Sequence, residues 1–334
     1  MVFIGLLVRK ALATWQLYNY VLTSIPGGKR VLRMNLDETA LCFFQGKVKG
    51  NVFVSPREPR IAQDQSASKQ RTYFSHVGLI CDDPLIQPVL PQFFLGNERS
   101  IPAADLQALR ASCARNFFLE RGRSAWVNVA AMRRILRFLR TALEPYMAER
   151  QPVLLLDAHT VHINSVVLAE CRAAGIIPVV IPAKLTWLLQ PLDTHAFAAY
   201  KHRLRKAFME ARVRAADGNV SVAAFLGCVQ QTIRSVLQGR LWAEAFDSNG
   251  FCTGQAGVSQ RVMAELDLAA PLAVPSTPPS LEQLQRLLPA GSRVPAALCP
   301  VVVRALHFGP RLRWYGPAPA PLGAVRGAPA PAHG

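Results

Sequence analysis

At 334 residues and 36.6 kDa, with 51% apolar residues, the chain is long enough to bury one large core or two small ones, which excludes wholesale disorder. Lys and Arg at 38 against Asp and Glu at 21 leave a net charge of +17, an excess that points to a polyanionic partner, nucleic acid first and an acidic membrane surface second. The seven cysteines are scattered, with no Cys-x-x-Cys and no paired spacing for a zinc site, so a reduced, intracellular chain is expected.

The opening run Met1 to Val8 is followed by Arg9 and Lys10, charges on the wrong side for a secretory signal, and no segment approaches the roughly 18 apolar residues of a membrane span. Residues 1–28 are expected to be a leader or remnant linker. Val31 to Asp37 alternates as a strand, with Leu32, Met34 and Leu36 on one face and Arg33, Asn35 and Asp37 on the other. Further strands are expected at Asn51 to Val54, Tyr73 to Cys81 and Val89 to Leu95, each bounded by Pro, Gly or Asp. A helix follows at Val127 to Met147, where Met132, Ile135, Leu136, Leu139, Leu143 and Met147 form an apolar stripe and Arg133, Arg134, Arg137 and Arg140 fill the remainder.

The next stretch is the most informative. Val153-Leu-Leu-Leu-Asp157 and Ile176-Ile-Pro-Val-Val-Ile-Pro182 are uninterrupted apolar runs of the kind a parallel sheet buried on both faces requires. Between them, Asn164 to Ala174 starts with cap-type residues and stops at Gly175, so the unit reads as one strand-helix-strand crossover of about thirty residues. A meander followed by a parallel crossover gives an α/β fold, a mixed sheet flanked by helices. Beyond it, residues 261–334 hold a region rich in Pro and Ala, with thirteen of the 25 prolines after Asp267, and are expected to be a largely disordered tail. One short helix is predicted there, at Ser280 to Leu288, from capping-box spacing.

Three aspartates occupy positions where chemistry concentrates. Asp157 ends a central parallel strand, and an ionised carboxylate after so apolar a run requires a cation or an Arg beside it. Asp37 stands at another strand end, and Asp193 precedes a helix expected near Ala196. Taken singly, Asp157 and Asp193 also read as turn and helix caps. Taken together, three convergent carboxylates call for a divalent cation, and hard oxygen ligands select magnesium or manganese over zinc.

Asn35-Leu-Asp37-Glu-Thr39, Leu155-Leu-Asp157-Ala-His-Thr-Val-His162 and Pro182-Ala-Lys-Leu-Thr186-Trp-Leu-Leu-Gln190-Pro-Leu-Asp193 resemble the three signature blocks of the DDE superfamily endonucleases, in the pogo and jerky-like transposase branch of the mariner group, to which centromere protein B is related. Ala245-Phe-Asp-Ser-Asn-Gly250 is similar to a later Phe-x-x-x-Gly block of that family. The resemblance covers roughly residues 30 to 255, and the Gln-Pro-Leu-Asp block is its most specific part. It implies an RNase H-like domain at 29–260 and carries over Asp37, Asp157 and Asp193 as ligands of two Mg2+ or Mn2+ ions. It also implies cleavage or strand transfer at DNA phosphodiesters. His162 matches the family's histidine five positions after the second aspartate and is expected beside the metals or the scissile phosphate.

Two departures stand out: Ala158 replaces the usual Asn, and Pro182-Ala-Lys-Leu-Thr186 replaces the usual Pro-x-Asn-x-Thr. Relatives also carry helix-turn-helix domains ahead of the first aspartate, where about 36 residues stand here, so a truncated or domesticated copy is expected. The alternative is a catalytically inactive DNA-binding or chromatin-associated protein. A zinc hydrolase built on His159, His162 and His195 lacks a Glu base and helical spacing. Lys201, Arg203, Arg205 and Lys206 on one helix, with Arg133 and Arg137 on another, are the expected phosphate-backbone contacts. The expected partners are DNA and, as a candidate, a second copy of the chain, with no membrane and no small-molecule cofactor; the basic run suggests the nucleus.

Overall fold

The structure, a computed structural model, describes residues 2–42, 73–98, 101–215, 219–295 and 298. Six strands form one mixed sheet: β1 (Arg30–Cys42), β2 (Tyr73–Cys81), β3 (Gln92–Asn97), β4 (Phe117–Gly122), β5 (Arg150–Asp157) and β6 (Ile177–Ile181), in the order β4-β3-β2-β1-β5-β6. β1, β2 and β3 make an antiparallel meander, while β5 lies parallel to β1, β6 parallel to β5 and β4 parallel to β3. This is the mixed, helix-flanked α/β architecture expected for an RNase H-like domain. The strand expected at Asn51 to Val54 lies outside the described residues, and β4 was not foreseen.

The crossover forms as its sequence dictates. The side chain of Asn128 caps α3 (Val129–Leu143) by accepting the Ala131 N–H at 2.9 Å. The helix stops short of the expected Met147 because Pro145 cannot continue its hydrogen-bond ladder. Asn164 likewise caps α4 (Ser165–Ala173), which ends at Gly175 with φ of 69°. There Ile176 N–H reaches Cys171 O and Gly175 N–H reaches Arg172 O, the paired bonds of a Schellman turn. β6 is an edge strand, so Pro178 is tolerated within it.

Side-chain alternation divides the core. Val153 and Leu155 of β5 face one apolar layer, and Leu154 and Leu156 face the other with Leu32, Met34 and Leu36 of β1. The second layer is covered by α3 and α4. The first is covered by α1 (Val2–Thr23), α2 (Ala103–Ala111), α5 (Thr186–Leu189), α6 (Phe197–Arg214), α7 (Val222–Thr232) and α8 (Ala243–Ser248).

Within residues 1–28, expected as leader or linker, the stretch of α1 from Leu7 to Val21 is therefore built into the core. Trp15, Leu17, Tyr18 and Val21 of α1 are fully buried, Trp15 Nε1 donates to Asn249 O at 3.1 Å, and Asn19 Nδ2 donates to Ala256 O at 3.2 Å. The expected disorder after 261 also gives way to packing over part of its length. α9 (Gln260–Glu265) and α10 (Leu281–Leu287) are formed, and Leu284 and Leu287 are fully buried. α10 carries the predicted capping box at Ser280 and Gln283, and Gln283 Nε2 donates to Gln16 Oε1 of α1 at 2.6 Å. Proline density forecast the irregular chain between these helices; the leucine spacing within α10 outweighed it because α1 supplies a surface to bury against. Among the described residues no helix is long and apolar enough to cross a membrane.

Candidate functional site

The parallel pairing of β1 with β5 sets Asn35 opposite Leu155, so Asp37 and Asp157, two residues further on, stand side by side; Asp157 ends β5, whereas Asp37 lies within β1, which runs five residues further along β2, rather than at the strand end expected for it. Asp193 arrives from the loop after β6. Lys184, in the left-handed region at φ of 70°, turns the chain into α5, whose Thr186 hydrogen-bonds Asp193. Asp193 then lies in a π-helical turn, Leu192–Ala196, that runs directly into α6. It is thus inside the first turn rather than capping a helix from outside, and wide turns of this kind recur at functional sites.

The carboxyls of Asp37 and Asp193 face one another closely enough to share a proton. Burial pushes Asp37 well above the usual carboxylate range, and the negative charges of Asp193 and Asp157 push it further. Burial also raises Asp193, against the pull of its hydrogen bonds and of the Lys201 ammonium. Asp157 behaves oppositely. Burial alone would raise it, but His162 and the His159 N–H, both on its Oδ1, outweigh that and hold it below its ordinary value. His162 is 2% exposed, with Nδ1 2.5 Å from Asp157 Oδ1 and Nε2 3.4 Å from Glu38 Oε1. Burial disfavours its charge, yet the two carboxylates prevail and raise it to about 9, so it is an imidazolium at neutral pH.

Among the described residues no three His, Cys, Asp or Glu side chains stand close enough together to hold a metal ion. The donor chemistry nevertheless fits a hard divalent cation: two carboxyls close enough to share a proton are the groups such an ion would ionise and join. The three histidines do not gather as a zinc site would need. His159 and His162 ring centroids are 5.8 Å apart, whereas His195 is held between Thr194 Oγ1 at 2.7 Å and Ser248 Oγ at 2.9 Å.

The Phe246 to Gly250 block packs behind the Asp193 turn. Asn249 Nδ2 donates to Thr194 Oγ1 at 2.9 Å, and Arg261 bonds both Asn249 Oδ1 and Leu188 O. A Cβ at Gly250 would fall 2.3 Å from Gly257 O and 2.7 Å from Trp15 Nε1, so only glycine fits there. Arg33 of β1 ties to the same block through Asp247 and to the adjoining Phe251 O, and Asp82, at 2.6 Å, holds its guanidinium from the end of β2. Sequence reasoning missed Arg33, Arg261, Asn249 and Glu38 as supports of the site; for Glu38 the signal was its place next to Asp37.

The basic residues expected to contact phosphate divide between the two faces of the sheet. Lys201, Arg203, Arg205 and Lys206 lie on α6, over the layer that faces the aspartates, and form no ion pair among the described residues. Arg133 and Arg137 lie on α3 across the sheet, and both are paired with Glu170 of α4 at 2.8 Å. The single Glu170 carboxylate answers part of their charge, and they stand on the opposite face of the sheet from α6.

No curated protein matches the chain. Among solved structures it is similar to a Mos1 transposase paired-end complex with left transposon end, at 17% identity over 73% of this chain and 63% of that one, with a TM-score of 0.36. It is also similar to a Mos1 mariner paired end complex with Mn, at 17% identity over 72% and 61% of the two chains, with a TM-score of 0.37. The chain therefore spans less than two thirds of the length of those chains. Residues 104–239 match the model of the DDE superfamily endonucleases; Asp157 and Asp193 lie within the match and Asp37 precedes it.

Proposed function

We propose that this chain is a transposase-derived DDE endonuclease domain of the pogo and jerky-like branch, acting on DNA phosphodiesters. Asp37, Asp157 and Asp193 would hold Mg2+ or Mn2+, which when bound supplies an activated water or hydroxyl and stabilises the leaving oxygen. The observation that carries this reading is the placement of Asp37 on β1 beside Asp157 at the end of the parallel strand β5, with Asp193 near enough for its charge to act on Asp37. Three carboxyls in a chain of net charge +17, one pair strained by mutual repulsion, form an arrangement that favours a cation over a purely structural role. His162 holds Asp157 ionised and oriented, and the unpaired basic face of α6 offers phosphate contacts beside Asp193.

The test is cleavage of labelled duplex and nicked DNA with magnesium, manganese or chelator, beside Asp157→Asn and Asp193→Asn. Metal-dependent cutting lost in both variants supports the nuclease. A second reading, a DNA-holding protein that retains the fold without catalysis, is favoured by Ala158 in the place of Asn and by the engagement of Asp157 Oδ1 with His162. It predicts no cutting, and salt-sensitive DNA binding that is the same in all three proteins.

A further inference from the structure

Asn35 is fully buried, and its amide links β1 to both other chain segments that bear the aspartates. Its Nδ2 donates to Leu155 O of β5 at 3.0 Å, two residues before Asp157. Its Oδ1 accepts the Leu192 N–H at 2.8 Å, one residue before Asp193. Asn35 itself stands two residues before Asp37, on the same face of β1. The Leu192 N–H opens the π-helical turn and has no carbonyl of its own helix to bond, so the β1 side chain serves as its cap from outside.

From this geometry we infer that Asn35 is a positioning residue that fixes the spacing of the three carboxylates, and with it their affinity for a divalent cation. The inference rests on the metal reading above. Strand pairing alone fixes Asp37 against Asp157, whereas Asp193 comes from a loop and a short turn outside the sheet. The Oδ1 bond is the direct tie from β1 to the residue adjoining Asp193, and removing it frees that turn to shift. Groups that orient metal ligands from behind commonly control affinity by about 10- to 100-fold.

The test measures Mn2+ binding by electron paramagnetic resonance of the free ion, with folding checked by circular dichroism in the same samples. Asn35→Ala is compared with Asn19→Ala, an equally buried asparagine whose amide bonds Ala256 and Val274, on no segment that bears an aspartate. Both variants should lower the melting temperature, and only Asn35→Ala should weaken Mn2+ binding, by about tenfold or more. Asn35→Leu, which keeps the volume and loses both bonds, serves if the alanine variant does not fold and should show the same weakening. A folded Asn35 variant that binds Mn2+ as wild type does, while Asp193→Asn does not, overturns the inference and spares the metal reading. Wild-type protein that binds no Mn2+ overturns both.

Discussion

His162 Nδ1 lies 2.5 Å from Asp157 Oδ1, in a chain segment that leaves β5 and folds back so that the same ring faces Glu38 of β1 at 3.4 Å. One imidazolium therefore holds the second aspartate below its ordinary value, while the pull of His162 on Asp37 and of Lys201 on Asp193 is too weak to do the same for the first and third. Repulsion among three equal carboxylates would make any of them stabilising to remove, but the inequality gives the variants opposite signs. Without metal at neutral pH, Asp157→Asn should destabilise by roughly 3 kcal/mol, because it strands a buried imidazolium. Asp37→Asn or Asp193→Asn should be neutral or stabilising, because each removes the repulsion between the facing pair. Thermal melts in chelator decide this; a stabilising Asp157→Asn would mean that His162 does not carry the charge assigned to it.

The basic residues divide by face, and so should their effects on DNA. Replacing Lys201, Arg203, Arg205 or Lys206 with Gln should each lower the slope of log affinity against log salt by about 1 wherever that side chain neutralises a phosphate. Arg133→Gln and Arg137→Gln should leave the slope unchanged, since Glu170 already holds both guanidiniums. Their cost to folding should stay under about 1 kcal/mol each, as both are substantially exposed. Equal loss of slope from α3 and α6 would place DNA on both faces of the sheet.

Much of this was legible because the decisive signals are local. The apolar runs before Asp157 and Pro182 announce a buried parallel pair, and Asn128, Asn164, Gly175 and Ser280 mark helix ends through bonds to residues two to five positions away. What escaped depends on distant partners. Alternation in β1 separates two faces but cannot tell that the face of Arg33 and Asn35 is covered; it is, and both are buried. The arginines of α3 looked free because Glu170 and Glu120 are remote in sequence. β4 went unread because its six residues end in Glu-Arg-Gly and it draws its order from pairing with β3.

The first helix supplies a third prediction. Its aromatic anchors reach Asn249 and Cys252, and Asn249 in turn bonds Thr194 beside Asp193, so α1 supports the site through two intermediates. A chain beginning at residue 29 should lose cooperative folding, and Trp15→Ala should cost about 3–5 kcal/mol. Near-ultraviolet circular dichroism and thermal melts measure both. A truncated chain melting within a few degrees of the full one would show that α1 is an appendage after all.

The last prediction concerns acid. His76 on β2 is fully buried, stacked on Phe94 at 5.0 Å between ring centroids, with Nε2 2.9 Å from Gln92 Oε1 and Nδ1 without a partner. Burial pushes its pKa down to about 4, although the Gln92 bond opposes this, because a second N–H would have no acceptor. Its folded value is thus below the value near 6.5 of the unfolded chain, and between those limits only the unfolded chain takes up the proton. Stability contributed by the neutral ring is therefore complete above about pH 6.5 and declines by about 1.4 kcal/mol per unit as pH falls, to a total of about 3 kcal/mol near pH 4. His76→Phe removes the titrating group and should flatten that limb while leaving the alkaline side unchanged. Urea melts from pH 7.5 to 4 compare the two; parallel declines would assign the acid sensitivity to other groups.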